Sequence, residues 1–181
     1  KQFMNRYMSN NDALYVLEDG YLVLRGVENT ADNAELPFLT GGISRQGMKR
    51  DNIGRIEVRV RMNPTARAVP FIALLPTDET EENIAVNIME RYGYDEYIYQ
   101  SVTSEYTAME GGNPNQYHIY GVEKYSDSLV FLVDDIRSKN YSRIVTDIPG
   151  QFPFNDMNLD LFIGIKLYSD TDPEELPADM F

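Results

Sequence analysis

The chain has 181 residues, no cysteine and a formal net charge of −13, and 43% of its residues are hydrophobic. Its length suits one domain with its own core, and the lack of cysteine excludes disulfides and thiolate chemistry. The acidic balance disfavours binding to nucleic acid or anionic membranes, which requires basic patches. No apolar stretch is long enough to span a membrane. We therefore predict a single domain over residues 1–181.

Apolar and polar residues alternate with the period of a β-strand along most of the chain, and turn signals such as Asp19-Gly20 separate the runs. Few windows show helical spacing. Many short strands with regular turns predict an all-β sandwich. In chain order, the predicted strands fall within residues 16–24, 40–44, 54–62, 69–76, 83–90, 117–123, 129–135 and 159–167.

The run over residues 83–90 is the most informative of these strands. Ala85 and Asn87 fall on one face of an extended chain, and apolar residues fall on the other. An inserted residue near Met89, a β-bulge, would return Glu90 to the face of Asn87. This pattern predicts a strand with one side in a core and the other along a groove. The apolar face consists of Ile84, Val86 and Ile88.

This strand resembles the active-site strand of glycoside hydrolase family 16, the laminarinase-like retaining glycosidases, which reads E-x-D-x-x-E. The resemblance places Ala85 at the nucleophile, Asn87 at the assisting Asp and Glu90 at the general acid/base. Retaining chemistry needs two carboxyl groups roughly 5–5.5 Å apart. Alanine cannot form a glycosyl ester, so the resemblance implies a family fold whose catalytic pair is incomplete and a chain with no catalytic residue.

Further segments resemble family motifs in the family's order, over about residues 8 to 167. The resemblance implies an all-β, concanavalin A-like jelly roll of two curved antiparallel sheets with a concave cleft. It also implies a closing C-terminal strand, which we expect to be absent because the sequence stops at Phe181. The matching segments are 16–24, 40–44, 54–60, 69–76, 117–123, 130–135 and 151–154.

The predicted cleft departs from the family at its aromatic positions. Val69 and Ala73 stand where the family has sugar-stacking tryptophans, and Thr103 stands where a cleft histidine is common. Tyr92 and Tyr94 could replace the lost stacking surface, because aromatic faces pack on sugar rings; they could equally pack a loop and an outer sheet. The candidate glycan-binding residues are Asn87, Glu90, Arg91, Tyr92, Tyr94 and Thr103.

Glu90 has two interpretations, and His118 has one. Glu90 could bind a sugar, or it could be a leftover carboxylate paired with Arg91 or another arginine. His118, the only histidine, occupies a family position that is usually structural.

Three functions remain open. The first is a non-catalytic glycan-binding protein. The second is a glycosidase that uses Glu90 as its acid with water or a substrate group as the attacking partner. The third is a scaffold or interaction domain that binds no sugar.

The expected partner is an oligo- or polysaccharide, with no nucleic acid, no membrane span, no cofactor and no metal. We expect a monomer exported by a bacterium to the periplasm, cell surface or extracellular space. The chain begins at Lys1, which suggests that an export signal has already been removed.

Overall fold

A computed structural model describes residues 2–3, 6–32, 35–48, 54–77, 84–103, 105–144 and 151–180. No helix in these ranges is long and apolar enough to cross a membrane. They contain three one-turn 3₁₀ helices, Asp12–Leu14, Pro153–Asn155 and Pro173–Glu175. Their seventeen strands are β1 (Gln2–Phe3), β2 (Arg6–Met8), β3 (Tyr15–Glu18), β4 (Tyr21–Glu28), β5 (Phe38–Thr40), β6 (Gly42–Met48), β7 (Gly54–Val60), β8 (Met62–Asn63), β9 (Ala68–Pro76), β10 (Val86–Arg91), β11 (Tyr97–Val102), β12 (Glu105–Glu110), β13 (His118–Lys124), β14 (Ser128–Val133), β15 (Ile136–Ser142), β16 (Leu159–Leu167) and β17 (Ala178–Met180).

The strands form three sheets, and the predicted all-β jelly roll is confirmed. A six-stranded sheet has the order β12-β11-β10-β9-β16-β6, and a four-stranded sheet has the order β15-β14-β13-β7. A seven-stranded sheet has the order β1-β2-β5-β4-β17-β8, with β3 also paired to β4. Of the strand pairs described, only β2–β5 is parallel.

One face of the six-stranded sheet packs against the four-stranded sheet and forms the core. Ile72, Val86 and Ile88 come from the first sheet, and Tyr120 and Phe131 come from the second; all five are fully buried. The opposite face of the six-stranded sheet, which we call the open face, carries a separate small cluster of Phe71, Ala73 and Phe162. The alternation of β9 thus divides its side chains between core and open face, as predicted.

The predicted β-bulge is present in β10. Asn87 pairs with Ala73 and Glu90 pairs with Phe71, so three steps along β10 match two steps along β9. Ile88 and Met89 are both buried in the main core. The inserted residue returns Glu90 to the face of Asn87. Asn83, the first residue of the predicted run, lies outside the described residues.

The C-terminal residues form a strand, which differs from the expectation that a closing strand is absent. β17 lies between β4 and β8, where Asp179 pairs with Arg25 and Asn63 along the backbone. Arg25 Nε also donates to Asp179 Oδ1 at 3.1 Å. Burial raises the pKa of Asp179 above its usual value and outweighs the opposite effect of Arg25. A three-residue strand is too short to show a periodic pattern in the sequence.

His118 and Asp134 connect β13 to the turn that follows β14 in the four-stranded sheet. The Nδ1 atom of His118 lies 2.8 Å from Asp134 Oδ2, and the Ile119 amide donates to Asp134 Oδ1 at 2.8 Å. Desolvation acts to raise the pKa of Asp134, but the hydrogen bonds from His118 and Ile119 outweigh it and hold this pKa below its usual range. His118 belongs to the four-stranded sheet, away from the open face, and its contacts are structural.

We expect Asp134→Asn to lower the free energy of unfolding by about 1 kcal/mol at pH 7. A carboxyl whose pKa is lowered by folding stabilises the folded state above its unfolded value of about 3.9, and loses that contribution as the pH falls through the lowered pKa. The difference between variant and parent should therefore shrink toward about pH 2. Urea unfolding at both pH values measures it.

Asp19→Asn is the matched control for this substitution. Asp19 and Asp134 both occupy the left-handed region, with φ values of 51° and 49°, and Asn tolerates that region as well as Asp does. The control should unfold like the parent at either pH. An Asp134→Asn loss of equal size in neutral and acidic solution would contradict the prediction.

Candidate functional site

The register of the six-stranded sheet arranges the open face as rows of side chains that run across the strands. The first row crosses all six strands, and the second crosses them through Glu90. A third, shorter row holds Tyr97 and Glu110 on one side and Val69 and Lys166 on the other. The first row is Tyr106, Ser101, Asn87, Ala73, Phe162 and Ser44; the second is Ala108, Tyr99, Glu90, Phe71, Gly164 and Gly42.

A buried ion pair occupies the centre of the open face. Lys166 Nζ contacts Glu90 Oε1, and the two residues are only 8% and 5% exposed. The same ammonium lies over the Phe71 ring, 5.1 Å from its centroid, at a distance typical of a cation–π contact. The interpretation that Glu90 pairs with an arginine was wrong in its partner, since the cation is Lys166. This side chain is the main feature of the site that the sequence analysis did not select.

The floor of the open face is packed rather than widened by its small residues. Val69, Phe71 and Ala73 are at most 2% exposed. A bound molecule could not touch these side chains in this arrangement. Accessible groups lie instead on the two flanks, toward β11–β12 and toward β6–β16.

Ala85 and Asn87, which the resemblance aligned with the family's Glu and Asp, have ordinary structural contacts. The Ala85 carbonyl accepts a hydrogen bond from the Thr103 amide at 2.8 Å. Asn87 lies on the open face, where its Nδ2 donates to Ser101 Oγ at 2.8 Å. An amide can donate to and accept from a sugar hydroxyl, but it cannot serve as a base.

Arg91 does not belong to the open face. The bulge places Glu90 there, so the next residue points to the core, where Arg91 pairs with the fully buried Ile98. Its guanidinium packs so closely against Gly111 that a side chain there would collide with it. Burial raises the pKa of Tyr120, and the nearby Arg91 opposes this rise only in part. The expectation that Arg91 lines the groove is therefore corrected: it is 96% buried between the sheets, since its exposure is 4%.

Tyr92 and Tyr94 lie together at the end of β10, in a cluster with Tyr99 and Tyr168. The Tyr92 ring is 5.2 Å from that of Tyr94 and 5.4 Å, edge-on, from that of Tyr99. Burial, and then a hydrogen bond with Tyr168, raises the pKa of Tyr92. A hydrogen bond from its hydroxyl to Asp95 raises the pKa of Tyr99 to about 12. Tyr92 therefore supports the cluster, whereas Tyr94 is 64% exposed.

Two more tyrosines extend this exposed surface along the open face. Tyr97 is 45% exposed and Tyr106 is 65% exposed. Both follow from strand alternation in β11 and β12, with Tyr97, Tyr99 and Ser101 on one face. The sequence analysis selected Tyr92 and Tyr94 but did not assign Tyr97 or Tyr106 to this surface. Together with Tyr94, these residues form what we call the tyrosine flank.

Thr103 lies at the opposite end of the strands from Tyr94, in the turn between β11 and β12. Its φ is 53°, and its hydroxyl donates to the Val102 carbonyl at 2.7 Å. The turn brings it beside Ala85, two residues before Asn87 along the chain. Of the six candidate residues, the structure therefore brings Asn87 and Glu90 together at the centre, with Tyr94 and Thr103 toward opposite ends.

Solved structures establish what this fold is. An endo-β-1,3(4)-glucanase of glycoside hydrolase family 16 matches with a TM-score of 0.84 and 18% identity, over 98% of this chain and 75% of its own. The laminarinase from Rhodothermus marinus matches with a TM-score of 0.83 and 18% identity, over 98% and 81%. A structure from work on endo-acting O-glycanases of human gut microbiota matches at 0.75 and 22% identity, over 90% and 77%.

No family model and no curated protein matches the sequence. At these identities the structural likeness establishes the fold alone. The chain thus has the jelly-roll fold of glycoside hydrolase family 16, as its motifs predicted.

Proposed function

We propose that this protein is a glycosidase-fold protein that binds a glycan without hydrolysing it. The observation that carries the proposal is the centre of the open face: alanine replaces the nucleophile, and the surviving carboxylate, Glu90, is buried in an ion pair with Lys166. Retaining hydrolysis needs one carboxylate to attack and another carboxyl to pass a proton. Neither role is supported by this arrangement.

The alternative of a glycosidase with a non-standard mechanism is less well supported. Such an enzyme would use Glu90 as a general acid, which must hold and release a proton. An ammonium in contact stabilises a carboxylate in its charged form instead. Glu90 is also 5% exposed, so a glycosidic oxygen could reach it only after Lys166 moved aside.

The tyrosine flank is the proposed binding surface. Its rings offer apolar faces for sugar C–H groups and hydroxyls for sugar hydroxyls. Asn87, which is partly exposed, lies in the same row as Tyr106 and adds a neutral polar group. Stacking and neutral hydrogen bonds are little screened, so binding should tolerate salt. The net charge of −13 favours neutral glycans over sulfated or uronic-acid-rich chains.

The proposal includes a monomer that works outside a bacterial cell, where polysaccharides are encountered. The edge strand β12 of the six-stranded sheet supports the proposal of a monomer. β12 carries Glu105 and Glu110 at its ends, and Lys139 Nζ lies 3.3 Å from the Glu105 carbonyl and 2.9 Å from Thr107 Oγ1. Charged side chains on an edge strand discourage pairing with a second chain.

We expect the double substitution Tyr94→Ala/Tyr106→Ala to weaken binding of any glycan that the parent binds by at least tenfold. One stacked ring contributes about 1 kcal/mol, and two exposed rings are removed. A glycan array that includes β-1,3-glucans, mixed-linkage glucans and mucin-type O-glycans identifies the ligand, and calorimetry measures the affinity.

Tyr125→Ala is the control, because Tyr125 is a partly exposed tyrosine next to β13, in the four-stranded sheet. It should leave affinity unchanged. Parent-like affinity in the folded double variant would place binding elsewhere. An array with no glycan bound by the parent would favour the scaffold alternative.

A further inference from the structure

We propose that a polar pocket at the other flank of the open face, between β6 and β16, holds one neutral sugar residue of the glycan. We call it the edge pocket. The inference rests on the proposed function and goes beyond it, because it assigns a second subsite and the kind of sugar position that fills it. It uses none of the residues of the tyrosine flank.

The edge pocket is a cavity of about 380 Å³, near the lower end of the range for small-molecule sites. This size suits one sugar ring or little more. Phe162, 7% exposed, contributes a small apolar contact to the floor of the pocket. Most of the other side chains that line it are polar and neutral: Ser9, Asn10, Tyr15, Ser44, Gln46 and Thr77.

Asp160 provides the strongest acceptor in the pocket wall. It is 6% exposed, and its Oδ1 accepts a hydrogen bond from the Thr77 hydroxyl at 2.8 Å. Carboxylate oxygens can accept several hydrogen bonds, and those to charged groups are stronger than neutral ones. Gln46 and Ser44, both exposed at the rim, can donate as well as accept. Adjacent hydroxyls of a neutral sugar fit this set.

The far wall of the pocket is held in place by hydrogen bonds and closes it on one side. The Tyr15 hydroxyl donates to the Ser9 carbonyl at 2.7 Å and lies 3.1 Å from the Gly42 carbonyl. The Ser9 amide donates to the Thr40 carbonyl at 3.0 Å. A wall fixed in this way requires little ordering when a ligand binds. The wall also leaves no room for a sugar chain to continue beyond the pocket, so the pocket fits a terminal or branch residue.

The edge pocket and the tyrosine flank lie along one line. Phe162 and Tyr106 belong to the same row, four strands apart, which corresponds to about 19 Å at the usual strand spacing. Between them the floor is packed. A short oligosaccharide could therefore lie across the sheet with one part on the tyrosines and its end or branch in the pocket.

Ser44→Trp tests the assignment, because Ser44 is exposed on an edge strand and a tryptophan there would fill the pocket with little cost to folding. The probes are linear laminarihexaose, the same hexasaccharide with one β-1,6-linked glucose branch, and a mucin-type core O-glycan. We expect Ser44→Trp to weaken the bound probe by tenfold or more, and Asp160→Asn to weaken it severalfold. Thermal unfolding verifies that both variants fold.

Ser142→Trp is the matched control, since Ser142 is exposed on β15, the edge strand of the four-stranded sheet. Weakened binding of the linear probe assigns the pocket to a chain end, and weakened binding of the branched probe alone assigns it to a branch. Parent-like affinity of Ser44→Trp for every bound probe overturns the edge pocket and leaves the proposed function standing. A parent that binds none of the probes or array glycans overturns both.

Discussion

Replacing Lys166 with methionine is expected to lower the free energy of unfolding by about 3–5 kcal/mol. The substitution keeps most of the side-chain volume but leaves Glu90, 5% exposed, without the ammonium that it contacts. A buried carboxylate that loses its partner retains the full cost of its desolvation. Urea unfolding at neutral pH measures the difference.

The double variant Glu90→Gln/Lys166→Met separates the cost of an unpaired charge from the value of the pair. Replacing both members of a buried ion pair is often nearly neutral, so it should recover most of the loss. Arg67→Ala is the exposed control: Arg67 pairs with Asp170 at 3.0 Å with both side chains at least half exposed, and its loss should cost no more than about 1 kcal/mol. Similar losses for Lys166→Met and Arg67→Ala would show that the central pair contributes little.

We expect no detectable endo-glycosidase activity on β-1,3, β-1,4 or mixed-linkage glucans, galactans or mucin-type glycans. Removal of a catalytic nucleophile costs about 10⁶-fold in rate, and Ala85 offers no group to attack the sugar. Reducing-sugar release and chromatography of products over long incubations would detect residual turnover. Steady turnover that disappears in Glu90→Gln would instead support the non-standard enzyme.

The double substitution Ala85→Glu/Asn87→Asp is expected to restore at most trace activity. It returns the carboxylates, but Val69 and Ala73 still give no stacking surface, and orientation supplies many kcal/mol of a rate enhancement. Lys166 would also continue to hold Glu90. Activity near that of ordinary family enzymes would show that neither the missing rings nor the lysine matters.

Local periodicity was enough to predict eight strand segments, the bulge in β10 and the presence of Glu90 on the face of Asn87, but it did not predict β11, β12 or β15. The same alternation, carried one residue further, would have placed Arg91 in the core. Lys166 could be assigned to the polar side of its strand with Asp160, but its contact with Glu90 could not be predicted. That contact depends on β9 lying between β10 and β16 and on the register of three strands. Register of this kind arises from the packing of segments that are distant in the sequence, and local periodicity does not reveal it.

The ion pair at the centre also changes what the presence of Glu90 means. In an active glycosidase such a residue is kept because turnover depends on it. In this chain, loss of the carboxylate would remove the group that Lys166, a buried charge 8% exposed, contacts and would unfold part of the population. Natural selection for an intact, abundant protein is therefore sufficient to retain Glu90, and its survival in descendants of this sequence would carry no information about catalysis.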